Sequence, residues 1–201
     1  MRQSADQPVS HSKANLRRQL RCERSKLSPP LRAELDEAIG QHVMQLVKSR
    51  NAVRIACYCS FNGEPDLTAV FRQLMADGCE LALPVISESN DHLMTFHSWQ
   101  AETSLGKNRY GIFEPLETAD VPVSSLDIIL MPLVGYDRFG NRLGMGAGYY
   151  DRCLENLRDQ VKPLRTGVAY GLQEISPVDK NIWDISLHGV VNEHGWFTFV
   201  S

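Results

Sequence analysis

Cysteine is scarce in this chain and poorly placed for cross-linking. Cys22, Cys57, Cys59, Cys79 and Cys153 form an odd set without a C-x-x-C pair, which argues against a disulfide framework and a zinc knuckle. Long apolar runs are missing as well, so no stretch approaches the ~20 residues that cross a bilayer. Met1 to Ser12 are polar and lack the hydrophobic centre of a secretory signal. Positive charge is not in excess: a formal net charge of -3 gives no general attraction to nucleic acid, although basic residues gather near the N-terminus. The histidines do not group: His11, His42, His92 and His97 have no neighbours at ligand spacing, while His188 and His194 fall beside an expected strand and turn. No internal repeat or low-complexity linker divides the chain. These absences leave a cytoplasmic protein without nucleic-acid, membrane or obligate protein partners. Its 201 residues, 43% of them hydrophobic, suit one sizeable core and would be strained by two.

What is present is an alternation of helical and extended patterns. A helix is expected from about Ser12 to Lys26, with Lys13, Arg17, Arg21 and Arg24 at i, i+4, i+8 and i+11 on one stripe and Leu16 and Leu20 facing the protein. Taken alone, that stripe is a solvated face or an anion site. Ser28-Pro29-Pro30 offers a cap and first-turn prolines for a second helix, whose apolar stripe runs Leu31, Leu35, Ile39, Val43, Leu46 and Val47. Val53 to Cys59 reads as a buried strand with Cys57 and Cys59 on one face as small apolar residues. A turn at Asn62-Gly63-Glu64-Pro65-Asp66, an amphipathic helix carrying Leu67, Val70, Phe71 and Leu74, and a strand from Leu81 to Val85 complete a β-α-β unit. Further strands are expected at His92 to Trp99, Leu126 to Met131 and Pro163 to Tyr170. Val190 with Trp196 to Val200 suggests a terminal hairpin. The segment from Gln100 to Ser125 is irregular, and its Tyr110 and Phe113 either flank a flat ring or pack a loop.

The most informative run begins where the strand Leu126 to Met131 ends. Met131 to Asp137 leads into Gly140-Asn141-Arg142-Leu143-Gly144-Met145-Gly146-Ala147-Gly148-Tyr149-Tyr150-Asp151-Arg152. The alternating glycines let backbone approach a ligand closely, and Tyr150, Cys153, Leu154 and Leu157 at helical spacing place the loop at a helix start. Amides at such a start can hold phosphate. Alternating glycines alone equally fit a structural turn. Glu64, at the C-terminal end of the first strand, is likewise either a turn residue or a carboxylate that accepts hydrogen bonds from a ring.

This run resembles the signature of the 5-formyltetrahydrofolate cyclo-ligase family, also called 5,10-methenyltetrahydrofolate synthetases: a Pro, a hydrophobic-aromatic-Asp step with Tyr136 as the aromatic, then G-x-R-L-G-x-G-x-G-Y-Y-D. Lys13-Ala14-Asn15-Leu16-Arg17 is similar to the family's K-x-x-x-R. Ser60 to Glu64 resembles its folate-meeting strand end, Tyr110 to Pro115 its G-I-x-E-P step, and Trp183 to Leu187 its D-x-x-L segment. His188 and Asn192 depart from the Asp and Thr that members often carry.

The resemblance implies an α/β fold over residues 1–201 with a flexible start over 1–11: one three-layer, Rossmann-like domain around a mainly parallel sheet. It implies conversion of 5-formyltetrahydrofolate to 5,10-methenyltetrahydrofolate with ATP as co-substrate and Mg2+ as cofactor. Lys13, Arg17, Arg142, Leu143, Gly144, Met145, Gly146, Ala147, Gly148, Tyr149 and Tyr150 would meet the nucleotide. Cys59, Glu64 and the run Met145 to Tyr149 would meet the folate. Asp151 and Asp184 would hold the metal, and Arg142 and Tyr149 would stabilise the transfer. Arg21 and Arg24 remain a solvated face. A noncatalytic nucleotide or folate binding module of the same fold, or a dinucleotide-dependent oxidoreductase, are the alternatives.

Overall fold

The computed structural model describes residues 13–87, 89 and 93–199. The expected flexible start, and the strand ends at His92 and Val200, lie outside those residues. Helix α1 spans Lys13–Ser25 and α2 spans Pro29–Ser49. The Ser28 hydroxyl accepts the Leu31 N–H at 3.4 Å and Pro29 opens the first turn, as the sequence requires. Strand β1 (Arg54–Ala56) is followed by α3 (Thr68–Ala76), β2 (Glu80–Ile86) and β3 (Met94–Trp99). Short strands β4 (Leu105–Lys107), β5 (Phe113–Pro115) and β6 (Asp120–Val121) fill the irregular stretch. Then come β7 (Ile128–Pro132), β8 (Gly135–Tyr136), β9 (Arg142–Leu143), α4 (Tyr149–Cys153), β10 (Leu164–Val168), β11 (Gly189–Asn192) and β12 (Gly195–Thr198).

Eight strands form the central sheet in the order β12-β11-β10-β7-β1-β2-β3-β6. The five from β11 to β2 are parallel, β12 and β3 run against them, and the edge strand β6, antiparallel to β3, points the same way as the five. Strand residues alternate between two cores. Ile55, Leu83, Ile128 and Leu130 face α2 and α3, which contribute Ile39, Val43, Phe71 and Leu74. Ala56, Ala82, Ile129 and Met131 face the side covered by Leu154, Ile185 and Leu187. Burying each large aliphatic side chain stabilises the fold by roughly 1.5–3 kcal/mol. Among the described residues, no helix is long and apolar enough to cross a membrane.

The chain leaves β1 for β2 on one side and leaves β7 for β10 on the other, so β1 and β7 flank a topological switch point whose C-terminal crevice is the favoured ligand position in an open parallel sheet. Strand β1 ends at Ala56, three residues short of the expected Cys59, because the crevice opens there: Cys57 N–H still reaches Ala82 O at 2.7 Å, while pairing to β7 stops at Ala56 and Ile129.

Two local expectations need correction. Strand β7 does not run straight into the glycine loop, because the β8–β9 hairpin intervenes. Its turn is organised by Asp137, a fully buried carboxylate that accepts from Phe139 N, Asn141 N, Asn141 Nδ2 and Val178 N at 2.9–3.1 Å. The helix after the glycines is also short, with five residues in α4. So short a helix carries little macrodipole, and anion affinity here must come from individual amides and cationic side chains.

Candidate active site

The crevice is a cavity of about 850 Å³. Every residue that the family resemblance nominated for the site lines it: Lys13 and Arg17 from α1, Cys59 and Glu64 after β1, Arg142 and Leu143 from β9, the loop and first turn from Gly144 to Asp151, and Asp184. Segments from both ends of the chain therefore converge on one space.

The cationic, glycine-rich side is built on the hairpin. Gly146 and Gly148 have φ of +106° and +72°, a backbone region that favours glycine. Arg17 Nε donates to Gly144 O at 2.7 Å, and its guanidinium lies under Gly146, where a Cβ would sit 3.6 Å from Arg17 Cζ. Arg142 Nη2 donates to Asp151 Oδ1 at 2.6 Å, and its Nη1 donates to the Ile185 carbonyl. Ile185 N–H returns a bond to the same Asp151 Oδ1 at 3.0 Å. Lys13 Nζ lies 3.7 Å from Asp184 Oδ2, which also accepts from Asn181 N–H at 2.9 Å. The segment bearing Asp184 is anchored by buried Arg165, which donates to the carbonyls of Leu157, Arg158, Gln160 and Ser186.

Two carboxylates thus line the cavity beside cations, and each has one oxygen without a hydrogen bond among the described residues. No group of three or more His, Cys, Asp or Glu able to hold a metal occurs among those residues. This donor set suits a hard cation such as Mg2+, which takes one or two carboxylates and completes its shell with phosphate oxygens and water.

The opposite side is more apolar and aromatic, with Tyr58, Phe61, Pro84, Ile86, Met94, Ile112 and Tyr150. Glu64 is half-buried there, and its carboxylate accepts Phe61 N–H at 3.1 Å. Desolvation raises its pKa to about 7 despite the opposing charge of Arg24. Burial raises the Cys59 thiol to about 11, so it behaves as apolar wall rather than as a nucleophile, and burial likewise pushes the core Cys57 thiol well above its usual value. At the mouth, Arg109 Nη2 donates to the Tyr149 hydroxyl at 2.7 Å, and the Tyr110 hydroxyl lies 3.1 Å from it. Partial burial raises the Tyr149 pKa, keeping it a phenol at neutral pH.

Sequence reasoning named Tyr110 as an aromatic flank, and it lines the cavity; Phe113 does not, lying exposed with Lys107 Nζ 5.1 Å from its ring centroid. Asn108 was missed. Its side chain accepts from Tyr110 N–H and Ile112 N–H, shaping the loop that presents Tyr110, and an Asn followed by a glycine three residues on was the available turn signal. Trp183, Arg152 and Glu155 were also missed as lining residues. His188 and Asn192 do not line the cavity: His188 Nδ1 accepts Arg165 N–H at 3.0 Å and Asn192 Nδ2 donates to Tyr136 OH at 3.0 Å. Those two departures therefore touch packing rather than the Asp184 surroundings. Arg24 is a correction: expected on a solvated face, it is 1% exposed.

Comparison with known proteins gives a consistent picture. The model of the 5-formyltetrahydrofolate cyclo-ligase family matches residues 9–193. A 5-formyltetrahydrofolate cyclo-ligase from Haemophilus influenzae is 32% identical over 184 residues, covering 90% of this chain and 98% of the relative. One from Escherichia coli K12 is 34% identical over 174 residues, covering 86% and 95%. The solution structure of the 5,10-methenyltetrahydrofolate synthetase of Aquifex aeolicus superposes with a TM-score of 0.80 at 32% identity, covering 94% of this chain and 93% of that one.

Proposed function

The chain belongs to the 5-formyltetrahydrofolate cyclo-ligase family, a family of ligases, and on that premise we propose that it uses ATP and Mg2+ to cyclise 5-formyltetrahydrofolate to 5,10-methenyltetrahydrofolate. The observation that carries this reading is the meeting of Lys13, Arg17, Arg142 and the glycine loop with Glu64 and Cys59 around one cavity. Membership of this family also favours a ligase over the oxidoreductase alternative.

The chemistry follows from a poor leaving group. An amide oxygen cannot depart as oxide, so the formyl oxygen attacks the γ-phosphorus of ATP and ADP leaves. N10 then attacks the activated formyl carbon, loses its proton to solvent, and the carbon–oxygen bond breaks to release phosphate carrying the former formyl oxygen. Such a reaction asks the protein mainly for alignment and charge neutralisation.

Lys13, Arg17 and Arg142 supply positive charge to the triphosphate, and the amides from Gly144 to Gly148 supply donors. Asp151 and Asp184 are the carboxylates that would hold Mg2+, which when bound neutralises phosphate charge. These acids sit against Arg142 and Lys13, which holds the cationic side chains at the cavity wall. Glu64 accepts hydrogen bonds from ring N–H groups of the folate, Cys59 packs as an apolar wall, and the aromatic side excludes water from the activated carbon. Tyr149, bridged to Arg109 and Tyr110, contacts both the folate and the transferring phosphate. We place the reaction in the cytoplasm.

The test is the absorbance of methenyl product when folded protein meets 5-formyltetrahydrofolate, ATP and Mg2+. Product that requires all three supports the reading. No nucleotide-dependent product from folded protein rejects it.

A further inference from the structure

Arg24 is the side chain whose burial the site chemistry leaves unexplained. It sits on α1, seven residues after Arg17 and eleven after Lys13. Eleven residues of helix span roughly 16 Å, so one helix passes from the phosphate side of the cavity to the folate side. At that far end Arg24 Nη1 donates to Leu133 O at 3.2 Å, in the chain just beyond β7, and Nη2 donates to Asn62 O at 2.8 Å, two residues before Glu64. The guanidinium fork therefore ties the two chain segments that leave the switch point, one from β7 and one from β1.

The Glu64 loop is held from its other side as well. Arg32 on α2 donates to Arg24 O at 3.3 Å. Gly63 has φ of +75°, and a Cβ there would come within 3.1 Å of Arg32 Nη1. The loop closes on itself, because Glu64 N–H donates to Phe61 O and Phe61 N–H donates back to the Glu64 carboxylate, both at 3.1 Å. Among the described residues Arg24 Nε has no hydrogen-bond partner, and burial lowers the pKa of the guanidinium. Burying a cation with one donor unsatisfied is a poor way to gain stability compared with apolar packing, which points to a role in placing the loop.

Resting on the reading of Glu64 as the folate acceptor, we infer that Arg24 is a positioning residue that fixes the Glu64 loop against the end of β7 and keeps the Glu64 carboxylate charged for folate binding. The charged and titratable groups that face Glu64 are Arg24 and Arg21 from α1, Tyr58 from the chain after β1, and Tyr150 from α4. Arg21 is exposed, and the two phenols are neutral at working pH, so Arg24 supplies the main buried positive charge. Removing it raises the pH at which Glu64 ionises.

The experiment compares wild type, Arg24→Gln and Arg24→Lys by steady-state kinetics across pH. Turnover by wild type establishes the reaction independently of the variants, so failure of that reading is separate from failure of this inference. For Arg24→Gln, the KM for 5-formyltetrahydrofolate should rise roughly tenfold while the ATP KM changes less than about threefold. The acid limb of kcat/KM for the folate, which reports the free enzyme, should move up by about one pH unit. Arg24→Lys keeps the charge without the fork, so its acid limb should stay near wild type while its folate KM remains raised. Equal rises in both KM values, or an unmoved acid limb in Arg24→Gln, overturns the inference. Should Arg24→Gln fail to fold, Arg24→Lys decides alone: a wild-type folate KM there overturns the role of the fork.

Discussion

Replacing Glu64 by Gln should separate what the protein gives up in stability from what it gains in binding. In the folded protein the Glu64 carboxyl titrates at about 7, against 4.5 for the unperturbed group, chiefly because burial disfavours the charged form. A raised folded pKa means that the native state binds the proton more tightly than the unfolded chain does. The associated stabilisation is fully present below pH 4.5 and is lost as pH rises through about 7. That gap corresponds to about 3 kcal/mol, reduced toward about 2 kcal/mol because the group is only half-buried and water screens part of the charge. Gln retains the shape and an oxygen for the Phe61 N–H, so it removes the charge and little else. Urea unfolding at pH 8 should therefore find Glu64→Gln more stable than wild type by about 2–3 kcal/mol, equivalent to a Tm rise of about 5–10 °C. At pH 4.5 the two proteins should agree within about 0.5 kcal/mol. The same variant should lose roughly tenfold or more in kcat/KM for 5-formyltetrahydrofolate, because an amide is a weaker acceptor than a carboxylate. Equal stabilities at both pH values, or a variant less stable at pH 8, would refute the assignment of Glu64 as a desolvated, destabilising carboxylate.

Other substitutions probe the phosphate side. Lys13→Ala should raise the ATP requirement roughly tenfold and the folate requirement much less, since one half-buried cation–phosphate contact is lost; an unchanged ATP KM removes Lys13 from the site. Asp151→Asn should preserve the bond to Ile185 N–H while shifting the Mg2+ titration of activity to higher concentration, and a titration identical to wild type counts against ligation. Gly144→Ala meets open space and should leave stability within about 0.5 kcal/mol while weakening ATP, whereas Gly146→Ala, at φ +106°, should also destabilise the fold by about 1–2 kcal/mol. Thermal denaturation beside ATP kinetics distinguishes these two outcomes.

Much of this architecture was legible because local patterns and remote packing agreed. The Ser28 cap, the buried stripe of α2 and the parallel run of β7 needed no distant information. The gathering of Lys13 and Asp184 at one cavity was to be expected only through the family resemblance, since neither has a spacing that betrays it. Arg24 was not legible for a physical reason. Its partners are backbone carbonyls of Asn62 and Leu133, and a carbonyl leaves no mark in the sequence, so a buried arginine on a basic stripe looks the same as its solvated neighbour Arg21. The β8–β9 hairpin escaped notice likewise, because its strands are two residues each and carry no periodicity; its organiser Asp137 was visible only as part of a motif. Strand β1 ran short of expectation because its apolar pattern continues past the point where its β7 partner diverges, and periodicity registers burial rather than pairing.

On this proposal the nucleotide triphosphate and the folate share the crevice at the C-terminal ends of β1 and β7. A crystal soaked with a non-hydrolysable ATP analogue and Mg2+ tests it most directly. The phosphates are expected within hydrogen-bonding distance of Lys13, Arg17 and the Gly144 to Gly148 amides, with Asp151 or Asp184 on the metal. Density for the triphosphate anywhere else on the molecule, with that loop left bare, would contradict it.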